Sequence, residues 1–186
     1  MEDSKIIELY FSRSEHAISE TSAKYGNYLA YISMNILHNN EDAAECVNDT
    51  YLHTWNAIPP NQPSAFRVWL GKITRNLSID CYKKKKTLKR GGNETDLLFS
   101  ELEECIPAPN NVEKVFEDNE IAKQISLFLR DQKPENRIIF LRRYWYGEQI
   151  ARISERLSIS ESKIKSSLFR TRNQLRLFLE KEGVNL

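Results

Sequence analysis

Between Phe66 and Arg90 lies FRVWLGKITRNLSIDCYKKKKTLKR, an apolar periodic stretch that ends in a block of lysines. At about 100° per residue, Val68, Lys72, Arg75, Asn76, Ile79 and Lys83 share one arc of a helix. Positive charge, an amide and aliphatic groups on one face suit holding phosphates and touching base edges. The opposite arc carries Phe66, Trp69, Leu70, Ile73, Leu77 and Cys81, a face for a core. Asp80 falls inside that apolar arc, where a carboxylate is costly unless paired, so a structural partner is expected for it.

A second basic face lies near the end of the chain. On a helix from Glu161 to about Lys181, Ile164, Leu168, Leu175, Phe178 and Leu179 form the expected buried arc. Ser162, Lys165, Ser166, Phe169, Asn173 and Arg176 face away, flanked by Lys163 and Arg170. Phe169 is the informative member. A large aromatic on a wet basic face is poorly suited to plain solvent and well suited to thymine methyls in a major groove. A third surface is acidic. A helix over Glu41–Ala57 is expected to bury Ala44, Val47, Tyr51 and Trp55, leaving Asp42, Glu45, Asn48 and Asp49 outside as a docking face for a basic partner.

Charge is laid out to match. The formal net charge of +1 conceals an alternation. Residues 1–58 carry 9 acidic and 3 basic side chains, and residues 59–90 carry 1 and 9. Residues 91–120 carry 9 and 1, and residues 121–186 carry 7 and 14. Two basic segments separated by an acidic one point to two contact sites on one polyanion.

Helical elements must position these faces. Ile6–Ser19 reads as a short helix and Tyr25–Leu37 as another, with Asn40 as the cap of the third. IPPNQPS, residues 58–64, is a loop, because three prolines bar helix continuation. Its tip carries Asn61 and Gln62, and Ser64 is the expected cap of the basic helix. Arg90-Gly91-Gly92 ends that helix, and Pro107–Asn111 breaks the chain again. The stretch between reads as an acidic linker with a short helix near Leu97–Leu102. Further helices are expected over Asn119–Arg130, Pro134–Trp145 and Ile150–Leu157. The last, a turn at Ser158–Ser160 and the Glu161 helix have helix-turn-helix spacing. The fold class is therefore all-α: two small helical domains, 1–90 and 119–186, joined by an acidic linker over 91–118.

No apolar run reaches the length of a membrane span, and the start lacks a signal-peptide pattern, so a cytoplasmic protein is expected. Cys46, Cys81 and Cys105 form no CxxC, and His16, His38 and His53 have no partner pattern. No metal, no cofactor and no catalytic residue is expected, and the chain reads as a binding protein, not an enzyme. A stand-alone helix-turn-helix regulator would need only the C-terminal motif. A nuclease would need clustered carboxylates, and Asp80 is the only acid between residues 59 and 90.

Three segments, EDAAECVNDTYLHTW, WLGKITRNLSIDCYKKKK and ISESKIKSSLFRTRNQL, resemble in that order the bacterial RNA polymerase sigma factors of the extracytoplasmic-function (ECF) group. The resemblance covers nearly the whole chain. It implies that Asp42, Glu45, Asn48 and Asp49 dock on core RNA polymerase. It implies that Asn61, Gln62 and Ser64 lie in a loop that captures a flipped base. Lys72, Arg75, Asn76, Ile79, Lys83 and Lys84 would hold the −10 strand. Ser162, Lys163, Lys165, Ser166, Phe169 and Arg170 would meet the −35 duplex. It also implies promoter DNA as ligand, an anti-sigma factor as regulator and no membrane insertion. The chain departs from the family at Asn48 (usually glutamine), Ser154 (alanine), Ser158 (glycine) and Ser167 (arginine). The last removes an expected phosphate contact, and Ser158 is tolerable where φ stays negative.

Overall fold

The computed structural model describes residues 1–86, 94–103 and 114–184, with the side chains of 86, 94–96, 99, 103 and 114–120 left aside. Among the described residues all regular structure is helical. The chain forms two compact units, Met1–Gly91 and Gly92–Leu186. The Arg90–Gly92 and Pro107–Asn111 breaks, Cys105, and residues 91–93 and 104–113 of the expected linker lie outside the described residues.

The first unit holds α1 (Asp3–Phe11), α2 (His16–Leu37), α3 (Asn40–Ala57) and α4 (Phe66–Lys86). Helices α2, α3 and α4 pack on one another and α1 lies against α2. The single helix expected over Ile6–Ser19 is in fact two. Arg13 takes a left-handed φ of 55°, and its guanidinium donates to the Trp55 carbonyl at 2.6 Å and lies over the Trp55 ring. This tertiary anchor, not glycine or proline, turns the chain. The core gathers Ile6, Tyr10, Leu29, Ile58, Phe66 and Leu70, with Phe66 edge-on to Tyr10 and Tyr25 and stacked on Trp69. Burying Phe66 contributes about 2–3 kcal/mol.

Helix α4 buries a different stripe from the one its hydrophobicity suggests. Phe66, Leu70, Gly71, Thr74 and Ser78 are buried, whereas Trp69, Ile73, Leu77 and Cys81 are half-buried. The hydroxyls allow this. Thr74 bonds Thr50 of α3 at 2.9 Å and Ser78 donates to Ser33 of α2 at 2.8 Å. Small residues let the three helices approach closely. A Cβ on Gly71 would lie 2.4 Å from the Tyr28 hydroxyl. The rotation also corrects the reading of Asp80, which is exposed and needs no buried partner. On α3, Ala43, Cys46, Val47, Thr50 and Tyr51 are buried, while Ala44 is exposed. The cap is Asn39, not Asn40: its side chain accepts from the Asp42 amide at 2.9 Å. Burial pushes the Cys46 thiol up to about 11, with Cys81 as a further cause. The two stay free thiols.

The second unit holds α5 (Glu94–Glu103), α6 (Lys114–Asp131), α7 (Pro134–Phe140), a π-helical turn over Leu141–Trp145, α8 (Ile150–Leu157) and α9 (Glu161–Lys181). Its core joins Phe128, Leu129, Ile139, Phe140, Tyr144, Ile150, Ile153, Ile164, Leu168, Leu175 and Leu179. Leu98 belongs to the same core. Within the stretch that reads as linker, α5 is thus a packed helix of this unit. Polar groups finish the interior. Arg142 donates to the buried Glu148 carboxylate at 2.8 Å, and Arg143 to the Glu148 carbonyl at 3.1 Å.

Candidate nucleic-acid interface

On α4 the wet arc survives as an exposed stripe. Val68, Lys72, Asn76, Lys83 and Lys84 are exposed, and Ile79 is half-buried between them. Arg75 is half-buried, and burial lowers its guanidinium pKa, which still leaves it charged at neutral pH. Arg67, missed in the sequence pattern, stacks over Tyr28 at 4.6 Å beside this face. Its signal was only its charge.

The proline loop leads into that helix. Asn61, Gln62 and Ser64 are all exposed. The Asn61 side chain donates to the Ala57 carbonyl at 2.9 Å, which fixes the loop to the end of α3. Helix α4 starts at Phe66, so Ala65, not Ser64, holds the capping position, and its carbonyl accepts from Trp69. Gln62, Ser64 and Phe66 open with Asp3, Glu8 and Phe11 onto a cavity of about 730 Å³. The α1 side of this cavity was not legible, because periodicity reports only the buried face of α1. Burial raises the Asp3 carboxyl, but hydrogen bonds from Lys24 at 2.6 Å and Tyr25 at 2.5 Å outweigh it and hold the pKa below 3.8.

On α3, Glu45, Asn48 and Asp49 are exposed, and Leu52 extends their face by one turn. Asp42 behaves differently. It is half-buried and pairs with Lys85 at 2.5 Å, so the acidic face of α3 meets the lysine block of α4. Sequence spacing gave no sign of that pair.

In the second unit, α8, the turn and α9 make the helix-turn-helix. Ser160 caps α9 by accepting from the Lys163 amide at 3.3 Å. Ser162, Lys163, Lys165, Ser166, Phe169 and Arg170 are all exposed along α9. Phe169 is 58% exposed, so it packs on no neighbouring helix to any great extent. Lys163 reaches Glu135 at 2.9 Å and Lys165 reaches Glu161 at 3.4 Å, both surface pairs of little strength. Two departures from the family's pattern have visible local settings. Ser167 is buried and donates to Asn136 of α7 at 2.8 Å. Ser158 does take a positive φ, 54°, which costs a non-glycine residue roughly 1 kcal/mol. The Ser154 hydroxyl offsets part of this by donating to the Ile159 carbonyl at 2.6 Å across the turn. Beside α9, Lys133, Asn136, Arg170 and Gln174 line a polar groove of about 630 Å³ that brings the α6–α7 turn next to the reader.

Among the described residues, no helix is long and apolar enough to cross a membrane. No group of three or more His, Cys, Asp or Glu is placed there to hold a metal ion. The three histidines are exposed.

Comparison with known proteins agrees with this geometry. Residues 22–87 match Sigma-70 region 2, and residues 133–175 match Sigma-70, region 4. The first match spans α3, the proline loop and α4, and the second spans α7, α8 and most of α9. The chain is similar to the ECF RNA polymerase sigma factor SigE of Mycolicibacterium smegmatis, 24% identical over 145 residues. That alignment covers 78% of this chain and 54% of SigE, so the chain spans about half the length of that relative. It is also similar to the ECF RNA polymerase sigma factor SigM of Bacillus subtilis, 25% identical over 169 residues, covering 90% of this chain and 98% of SigM. A solved structure of CnrH in complex with the cytosolic domain of CnrY aligns with a TM-score of 0.44 and 19% identity, covering 96% of this chain and 97% of that one. With both regions in order on one chain and these two relatives beside them, the chain belongs to the sigma-70 family of RNA polymerase sigma factors, in its ECF group.

Proposed function

We propose that the chain binds core RNA polymerase and directs promoter-specific, DNA-templated transcription initiation. The observation that carries this is the pair of exposed basic faces, one on α4 and one on α9, each set on a separately packed core. Helix α9 enters intact duplex at the −35 element through Ser162, Lys163, Lys165, Ser166, Phe169 and Arg170, and fixes register. The α4 stripe of Lys72, Arg75, Asn76, Ile79, Lys83 and Lys84 holds the −10 strand by its phosphates. Gln62 and Ser64 face the cavity beside it, which receives an unstacked base, and Asn61 steadies the loop. Trapping a single strand offsets the stacking lost on melting. Glu45, Asn48 and Asp49, with Asp42 at their edge, dock on polymerase. Tethering two weak readers raises the effective concentration of the second.

In this reading the chain is a cytoplasmic binding subunit without cofactor, and the chemistry of RNA synthesis belongs to the polymerase. An anti-sigma factor restrains it. The support for that partner is apolar exposure on the reading faces: Val68 on α4 and Phe169 on α9 stand out in water when no DNA is bound. The experiment is reconstitution. Purified chain plus core polymerase is expected to start transcription at defined sites sharing −10 and −35 sequences. Failure to join core, or to initiate on any genomic template, refutes the proposal. Tight binding to palindromic duplex without polymerase favours the stand-alone regulator instead.

A further inference from the structure

The cavity between α1 and the proline loop differs in chemistry from the α4 stripe. Its lining holds two carboxylates, Asp3 and Glu8, and no lysine or arginine. A phosphate is repelled by such a lining, so its guest is neutral. The two carboxylates are not equivalent. Asp3 is already engaged, because its Oδ1 accepts from Lys24 at 2.6 Å and from Tyr25 at 2.5 Å. Glu8 is exposed, and its carboxylate has no hydrogen-bond or ion-pair partner among the described residues. The aromatics of the lining divide in the same way. Phe66 is 1% exposed and is held in the core by Tyr10, Tyr25 and Trp69. Phe11, the last residue of α1, is 42% exposed and stands outside that core.

These groups match one kind of guest. An exposed aromatic ring stacks on any base. An ionised carboxylate only accepts hydrogen bonds, so it requires a donor from the base edge. Where cytosine sets an amino group, N4, thymine sets an acceptor, O4. Facing Glu8, the amino group forms a charge-assisted bond and the carbonyl is repelled. Gln62 and Ser64 lie in the same lining, and both can donate. One obligate acceptor beside two groups able to donate fits the pairing edge of cytosine, with its amino donor next to two acceptors. Adenine offers a single acceptor beside its amine, and guanine offers one acceptor beside two donors.

We propose that Glu8 and Phe11 of α1 determine which base this cavity takes: Phe11 stacks on the unstacked base and the Glu8 carboxylate accepts from its exocyclic amine, so that cytosine is held and thymine is rejected. The inference rests on the reading of the cavity as the receiver of a base, and it adds the identity of that base and the residues that choose it. It divides the work between two elements. Gln62 and Ser64 of the loop both donate and accept, so they tolerate several base edges, whereas a carboxylate on α1 does not.

The test uses the full chain loaded on core polymerase and a promoter whose −10 element has been located by mapping transcription starts. Each non-template position of that element carries each of the four bases in turn. The template strand is left abasic opposite it, so that no pairing energy changes. Binding is read by anisotropy. At one position cytosine is expected to bind about tenfold more tightly than thymine, with both purines weaker than cytosine. Glu8→Gln supplies an amide that can also donate to thymine, and is expected to bring the cytosine-to-thymine ratio at that position within about threefold. Its melting temperature should stay that of the wild type, because Glu8 is exposed. Phe11→Ala is expected to weaken all four bases alike, by about fivefold or more, and to leave the ratio as it was. A ratio that Glu8→Gln moves at no position overturns the inference, and so does a purine or thymine preferred at the position it moves. Equal binding by wild type and Phe11→Ala overturns the stacking role. A chain that joins no polymerase, or never initiates, overturns the sigma-factor reading instead.

Discussion

Replacing Phe169 by alanine separates a DNA contact from a packing contact. The side chain is 58% exposed, between Lys165, Ser166 and Arg170 on the outer face of α9. A phenylalanine carries about 200 Å² of surface, so about 120 Å² is free to be covered by a groove. At about 25 cal/mol per Å² the full covering of that area is worth about 3 kcal/mol. A major groove covers only part of it, which leaves about 1–2 kcal/mol, a loss of about 5- to 30-fold in affinity. The fold should hardly notice, since exposed substitutions of this kind stay within about 0.5 kcal/mol. The assay is anisotropy of labelled promoter with polymerase loaded with either protein, on intact templates and on templates with a scrambled −35 element. Phe169→Ala is expected to weaken binding to the intact template, to make no difference on the scrambled one and to leave the melting temperature unchanged. Affinity within twofold of wild type on the intact promoter refutes the reasoning. A fall of several degrees in melting temperature does so too, because it assigns the ring to packing. The neighbouring Leu168, which is buried, gives the contrast: its replacement by alanine should cost about 2–5 kcal/mol of stability.

Ser158→Gly should stabilise the second unit by about 0.5 kcal/mol, because glycine accepts the left-handed φ without strain, and thermal melting would register a rise of about 2–4 °C. Gly71→Ala should destabilise the first unit by about 1–3 kcal/mol, since the new methyl meets the Tyr28 hydroxyl, and adding Tyr28→Phe should recover part of the loss in denaturant unfolding. Asp3→Asn probes pH. The folded pKa of Asp3 is depressed, so its stabilising effect is present above its ordinary value of 3.8 and is lost as pH falls through the folded value. The wild-type protein should exceed the variant at pH 7 by less than about 1 kcal/mol, as the pair with Lys24 is more than a third exposed. The gap should close below pH 3.8, and a gap that persists there would assign the effect to packing.

The reading faces were legible because periodicity and charge act locally. Lys72, Asn76 and Lys83 on α4, and Lys165, Phe169 and Arg170 on α9, fall on one side of any helix with 3.6 residues per turn, whatever it packs against. The same local physics announced the proline loop and the helix-turn-helix spacing. What failed was each inference that needed to know a neighbour. Asp80 reads as buried by hydrophobic pattern, but Thr74 and Ser78 turn inward because Thr50 and Ser33 meet them there. The break at Arg13 is made by the Trp55 carbonyl, far along the chain.

Sequence by itself determined an all-helical chain, two basic faces separated by an acidic stretch, and the resemblance those faces carry. Only tertiary structure decided that the stretch is partly spent. Leu98 and Glu101 look like scattered members of an acidic linker until Phe128, Tyr144, Arg143 and Arg172 are brought around them. The reason is physical: ten residues cannot hold a helix in water, so whether α5 exists depends on a surface built from residues 128 to 179.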